Sequence, residues 1–175
     1  MPCDDNCDPK RPYDRVVLLC YGLYQINSIV KSVLILIFNS EGRIALQLRA
    51  ANDRSYPLHW DFSAGGDVES GEDAFLAAER EVQEELGVRT MFTEIDRFSY
   101  ADIKAHQSSY SYNGAEDDDT SVVFKGQFDG VFSPSENEVQ SIRLITIAQL
   151  EDIIRKGEKF HPEFLYFLTE RFLKK

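Results

Sequence analysis

Between Gly65 and Val88 the chain reads Gly-Gly-Asp-Val-Glu-Ser-Gly-Glu-Asp-Ala-Phe-Leu-Ala-Ala-Glu-Arg-Glu-Val-Gln-Glu-Glu-Leu-Gly-Val. A glycine turn leads into a helix-forming run free of Pro and interior Gly, and the run stops at Gly87, where a left-handed C-terminal cap is expected. At about 100° per residue, Phe75, Ala78, Val82 and Leu86 share one narrow stripe, which predicts the face that docks on a core. Glu81 and Glu85 lie one turn apart along a border of that stripe, and Glu84 sits further round. Glutamates at this spacing repel by about a few tenths of a kcal/mol per exposed pair, and Arg80 is the only cation between Glu72 and Glu85. A hard divalent cation, Mg²⁺ or Mn²⁺, would neutralise them, since carboxylates at i and i+4 can converge on one ion. A solvated acidic helix face is the alternative that spacing alone leaves open.

The rest of the chain limits what such a helix can serve. With 175 residues and 43% hydrophobic content, one domain with a real core is expected over residues 15–175. Residues 1–14 are polar, carry Pro2, Pro9 and Pro12, and read as a flexible N-terminal arm. A net charge of −11 argues against a nucleic-acid polymer or an anionic membrane as the main partner. No apolar run reaches the roughly 18 residues that span a bilayer, and the N-terminus lacks the basic and apolar regions of a signal peptide, so a cytoplasmic location is expected. Three cysteines, an odd number, make no disulfide framework. Cys3 and Cys7 lack the second pair that a metal site needs, and Cys20 lies in an apolar run.

Along the chain, Val16–Tyr24 reads as a short strand and Ile29–Phe38 as a buried one. After the turn Asn39-Ser40-Glu41-Gly42, Arg43–Arg49 returns as the second arm of a hairpin, with Ile44, Leu46 and Leu48 alternating against Ala45, Gln47 and Arg49. Residues His59–Ala64 form a short strand that delivers the chain to the glycines. Further strands are expected over Arg89–Tyr100, Thr120–Phe128 and Val139–Ile145, with Ala101–Asp119 as a polar loop. Helices are expected over Ile147–Lys156 and Pro162–Leu173, the latter with Pro in its first turn.

Gly66, five residues, Glu72, seven residues, Arg80-Glu81-Val82-Gln83-Glu84-Glu85-Leu86-Gly87-Val88 resembles the Nudix box at each defined position. The resemblance implies an α/β/α sandwich with a central mixed sheet, and hydrolysis of a diphosphate linkage in a small molecule, such as a nucleoside diphosphate derivative, with Mg²⁺ or Mn²⁺. Carried over residue by residue, it implies Glu81, Glu84 and Glu85 as metal ligands, with the Gly65 carbonyl joining them. Glu72 supports the loop or a water beside the metal, and Arg80 orients a glutamate through its guanidinium fork. The base that activates water comes in this family either from the box, here Glu84 or Glu81, or from a later loop, here Asp117, Asp119, Glu136 or Glu138. For the phosphates the candidates are Arg49 and Arg54. The apolar C-terminal helix and family habit favour a homodimer.

The entry to the box, Asn39–Arg49 followed by Tyr56-Pro57-Leu58-His59-Trp60-Asp61-Phe62-Ser63, is similar to that of Nudix proteins related to isopentenyl diphosphate isomerase. Such an isomerase needs a cysteine, an acidic partner and a histidine-rich metal site. Here Gly65 stands in the place of the cysteine, Asp67 in that of a metal histidine, and the first histidine aligns near Val30. Asp117-Asp118-Asp119 sits where the isomerase has a pair of glutamates. A hydrolase in an isomerase-like frame is the expectation. The alternatives are an isomerase-like enzyme and a nucleotide-binding domain without turnover, which would usually lack box glutamates that are all present here.

Overall fold

The computed structural model describes residues 30–107 and 115–174. The N-terminal arm, the strand expected over Val16–Tyr24, the three cysteines, and Tyr110 and Tyr112 lie outside the described residues.

A run dominated by Val, Ile and Leu forms the central strand β1 (Val30–Phe38). Both of its faces are buried: Leu34, Leu36 and Phe38 enter one apolar cluster, and Val33, Ile35 and Ile37 the other. That pattern belongs to a strand in a sheet covered on two sides. A turn with Gly42 at φ +75°, in which the Asn39 side chain accepts from the Arg43 N–H, returns the chain as β2 (Ile44–Arg49). The other strands are β3 (Trp60–Asp61), β4 (Ala64–Asp67), β5 (Phe92–Ser99), β6 (Thr120–Gln127) and β7 (Val139–Ile145). Together they form a seven-stranded mixed sheet with the path β3-β2-β1-β6-β5. β1 and β6 run parallel, and the other pairings are antiparallel.

One edge of β1 is shared. Its C-terminal end pairs β2 at Ile37 and Phe38, while Ser32 to Ile35 pair β4. The sheet therefore forks between β2 and β4. Ser63 closes the apex: its N–H donates to the Ile35 carbonyl at 2.8 Å, its hydroxyl accepts from Ile37 N–H at 2.7 Å and donates to the Ala45 carbonyl.

The helix read from the glycine stretch is α1 (Ala74–Leu86). Asp73 caps it by accepting from the Phe75 and Leu76 N–H groups, and Gly87, at φ +67°, ends it by donating to the Gln83 carbonyl. It covers one face of the sheet through Ala77, Ala78, Val82 and Leu86. The expected stripe needs one correction: Phe75 is 43% exposed and Ala77 is buried in its stead. Two adjacent alanines bring the helix close to the sheet, leaving Phe75 to meet Phe92 edge-on at 6.1 Å.

The opposite face is covered by α2 (Tyr100–His106), α3 (Ile147–Arg155), α4 (Pro162–Tyr166) and a π-helical turn over Phe167–Phe172. The two last replace the single helix expected over Pro162–Leu173. Helix α2 begins the stretch read as loop; Ser99 and Asp102 form a reciprocal capping box at its start. The result is the α/β/α sandwich with a central mixed sheet. Among the described residues, no helix is long and apolar enough to cross a membrane.

Candidate functional site

Helix α1 presents its carboxylates at the fork. Arg80 gathers them: Nε and Nη2 grip the two oxygens of Glu72 at 3.1 and 3.0 Å, Nη1 reaches Glu81 at 2.6 Å and Glu84 at 3.2 Å, and Nη2 also donates to the Asp67 carbonyl at 2.9 Å. One guanidinium thus ties the loop before the helix to three acidic side chains, which a lysine ammonium could not do with the same fork. The hydrogen bond from Arg80 holds the Glu72 carboxyl below its usual range. Glu81 is pushed up by burial, against the pull of Arg80. A Cβ on Gly66 would collide with the Glu81 carboxylate, so the second glycine makes room for that side chain.

Glu85 is the outlier. It is 7% exposed, and its Oε2 is buried with no hydrogen-bond partner. Burial, reinforced by the charges of Glu81, Asp61 and Glu138, holds its carboxyl well above the usual range, opposed by a hydrogen bond from the Gly65 backbone. Among the described residues no three acidic, His or Cys side chains already converge as a metal cluster, and Arg80 engages Glu81 and Glu84. An orphaned, buried carboxylate oxygen ringed by further carboxylates nevertheless suits a hard cation, which would supply the missing charge and partner at once.

Next to this cluster, on the far side of the fork, opens a cavity of about 270 Å³. Gly65, Gly66 and Asp67 of β4 line it, as do Gln47, Arg49 and Asp61 of the β2–β3 pair and Ser32, Ser121, Asp119 and Glu163. Asp61 connects the two regions, lining the cavity while its charge acts on Glu85.

The residues expected at the site separate into two groups. Gly65, Glu72, Arg80, Glu81 and Glu84 come together with Glu85, and Glu138, exposed on the neighbouring loop, lies near enough for its charge to raise Glu81 and Glu85. Arg49 lines the cavity, but its guanidinium is spent on Asp61 (2.9 Å), Asp53 (2.8 Å) and the Ser55 carbonyl (2.9 Å), clamping the loop after β2. Asp119 is buried on the cavity wall and accepts from the Glu116 N–H. Arg54 and Glu136 are exposed and do not line the cavity, and Asp117 points to Lys104 at 2.8 Å. Sequence reasoning passed over Gln47, Asp61, Ser121 and Glu163. Asp61 stood within a quoted motif without a role, and Glu163 fell inside the helix expected over Pro162–Leu173 without being singled out.

Residues 29–168 match the family model described as the NUDIX domain. An uncharacterised Nudix hydrolase of Listeria monocytogenes is 34% identical over 137 residues, 78% of this chain and 73% of the relative. An isopentenyl-diphosphate Delta-isomerase of Serratia proteamaculans is 28% identical over 173 residues, 95% of this chain and 86% of the isomerase. Among solved structures, a protein of Deinococcus radiodurans superposes with a TM-score of 0.64 at 25% identity, covering 81% of this chain and 83% of its own. The chain belongs to the Nudix family, in an isomerase-like branch, and is a Nudix hydrolase acting on phosphorus-containing anhydrides.

Proposed function

We propose that the chain hydrolyses a diphosphate linkage in a nucleoside diphosphate derivative or a similar small molecule, using Mg²⁺, which Mn²⁺ can replace. The observation that carries this reading is the buried, partnerless Glu85 Oε2 beside Glu81. Glu81, Glu84, Glu85 and the Gly65 carbonyl would hold the metal. When bound, the ion would supply charge neutralisation at the phosphate oxygens and Lewis acidity toward water. Arg80 keeps Glu81 and Glu84 in place and the Gly66–Glu72 loop against them. Removal of the water proton falls to Glu84 or Glu81, the former on the exposed side of the Arg80 fork. With Arg49 committed to two aspartates and a net charge of −11, the protein depends on the metal to bring phosphate oxygens to an acidic surface.

The test is release of phosphate or nucleoside monophosphate from a panel of nucleoside diphosphate derivatives with and without Mg²⁺. The long match to an isomerase favours a second reading, proton exchange into isopentenyl diphosphate, to be assayed in parallel. Against it stands Gly65 in the place of the cysteine: a Cβ there would lie 2.8 Å from the Val33 carbonyl oxygen, so a cysteine needs the backbone to move. Turnover in the exchange assay alone would overturn the hydrolase reading.

A further inference from the structure

Two buried oxygens near the fork lack a donor, and only one of them belongs to the glycine–helix stretch. Among the described residues three buried side-chain polar atoms have no hydrogen-bond partner: Glu85 Oε2, Gln47 Oε1 and Arg171 Nε. The last lies 3.6 Å from Asp96 on the edge strand β5. The other two are acceptors, Glu85 on α1 and Gln47 on β2, and a buried acceptor is costly until a donor or a cation reaches it.

The pleat of β2 decides which way Gln47 faces. Ile44 and Leu46 enter the cluster under the C-terminal helices, whereas Ala45 enters the cluster under α1. Alternation puts Gln47 on the α1 side with Ala45. Its cross-strand partners, which share its face, agree. Ile142 of β7 packs against the α1-side cluster, and Asp61 of β3 lies near enough to Glu85 for its charge to act there. Gln47 is 5% exposed and also lines the cavity beside Gly65, whose backbone hydrogen-bonds Glu85. Both orphaned oxygens therefore belong to one region, where β2, β4 and α1 meet.

The surrounding carboxylates are already engaged. Arg80 binds Glu81 and Glu84, and each Asp61 oxygen accepts a hydrogen bond, Oδ1 from the Phe62 N–H and Oδ2 from Arg49. A hard divalent cation meets the need of both unspent oxygens, because amide carbonyls and carboxylates alike are its ligands. An amide suits this position: it offers an oxygen without adding another negative charge to Glu81, Glu85, Asp61 and Glu138. A proton shared between Glu85 and Gln47 would also satisfy the pair, but it would stabilise the metal-free protein, which a cation site does not.

We infer that Gln47 Oε1, supplied by β2 from outside the glycine–helix stretch, is a ligand of the divalent cation held at Glu85. The inference rests on the metal-dependent reading above.

The experiment is titration calorimetry of the parent, Gln47→Met and Gln47→Glu with Mg²⁺ and with Mn²⁺, beside thermal melts in EDTA and in Mg²⁺. Gln47→Met keeps the unbranched length and removes the hard oxygen. Its Kd for both ions should rise about tenfold or more, and the upward shift in melting temperature that Mg²⁺ gives should shrink. In EDTA it should melt within about 3 °C of the parent or higher, because the atom it lost was an unsatisfied acceptor. Gln47→Glu, which keeps an oxygen and adds a charge, should bind both ions at least as tightly as the parent and melt lower in EDTA. Three results would overturn the inference while leaving a cation at the α1 glutamates: Gln47→Met binding both ions as tightly as the parent; Gln47→Met melting several degrees lower in EDTA with its Mg²⁺ shift intact, which makes the amide a partner of Glu85 in the metal-free protein; or Gln47→Glu binding no better than Gln47→Met. Failure of the folded parent to take up either ion would overturn the metal-dependent reading, and this inference with it.

Discussion

Replacing Glu85 by Gln tests whether its buried oxygen awaits a cation. Gln keeps the volume and one oxygen for the Gly65 hydrogen bond, while removing a charge that sits 7% exposed among Glu81, Asp61 and Glu138. In metal-free protein above neutral pH, an unsatisfied buried group costs about 1–3 kcal/mol, more when charged. A domain of this length converts each kcal/mol into about 2–4 °C of melting temperature, and since the Gln amide inherits the unsatisfied position while the charge is gone, the variant should melt higher than the parent in EDTA by up to about 12 °C. Excess Mg²⁺ reverses the order. A ligand at about 100 times its Kd stabilises its protein by about 2.7 kcal/mol, and that gain belongs to the parent alone. Turnover should fall by about a hundredfold or more, as for loss of a group that stabilises developing charge. The assay is a pair of thermal melts with and without Mg²⁺, beside titration calorimetry. A variant that melts several degrees lower in EDTA would make Glu85 a structural hydrogen-bonding group. One that Mg²⁺ stabilises as much as the parent would remove it from the metal site. Either result refutes the reasoning.

Arg80→Lys exchanges a fork with five hydrogen bonds for one ammonium; a loss of about 1–3 kcal/mol in denaturant unfolding should accompany a drop in kcat, with KM for Mg²⁺ raised. Gly66→Ala drives a methyl into the Glu81 carboxylate, and because the obstacle is the end of a flexible side chain, the melting temperature should move by only about 2 °C while calorimetric Mg²⁺ uptake weakens about tenfold or more. Glu163 supplies a pH signature: its folded value of about 7 exceeds its ordinary 4.5, so its contribution to stability is full below pH 4.5 and is lost as pH rises through 7. After allowance for its partly solvated edge the loss is of order 2 kcal/mol, and Glu163→Gln should flatten the fall in melting temperature between pH 5 and 8.

The parts of this molecule that the chain announces in order along itself were legible. The α1 boundaries follow from Asp73 and Gly87, each a local cap, β1 follows from a run of branched aliphatic residues, and β2 and β7 from apolar residues interspersed with polar ones. The box glutamates were legible for the same reason, since three and four residues apart on a helix is a spatial statement. Phe75 was misplaced because helical angle gives the direction of a side chain but not the depth at which the helix rests, and that depth was set by Ala77 and Ala78. Helix α2 escaped because seven residues carry too little periodicity, although Ser99 and Asp102 held its capping signal. Glu163 could not be read at all: its environment is made by Ser121 and Ser32, which are 89 residues apart in the chain and meet only when β1 and β6 align. Gln47 likewise becomes an unsatisfied acceptor only once β3 and β7 enclose β2.

The fork held by Ser63 has a consequence for how such a molecule can diverge. Because the strands part there, a helix lying behind the sheet and a pocket lying in front of it share a window, with Gly65 and Asp61 as its frame. The acidic cluster proposed to hold the ion is written in one uninterrupted stretch of chain, whereas the pocket walls are borrowed from β2, β6 and the C-terminal helices. Mutation can therefore remodel what is admitted from the front while leaving untouched the chemistry delivered from behind.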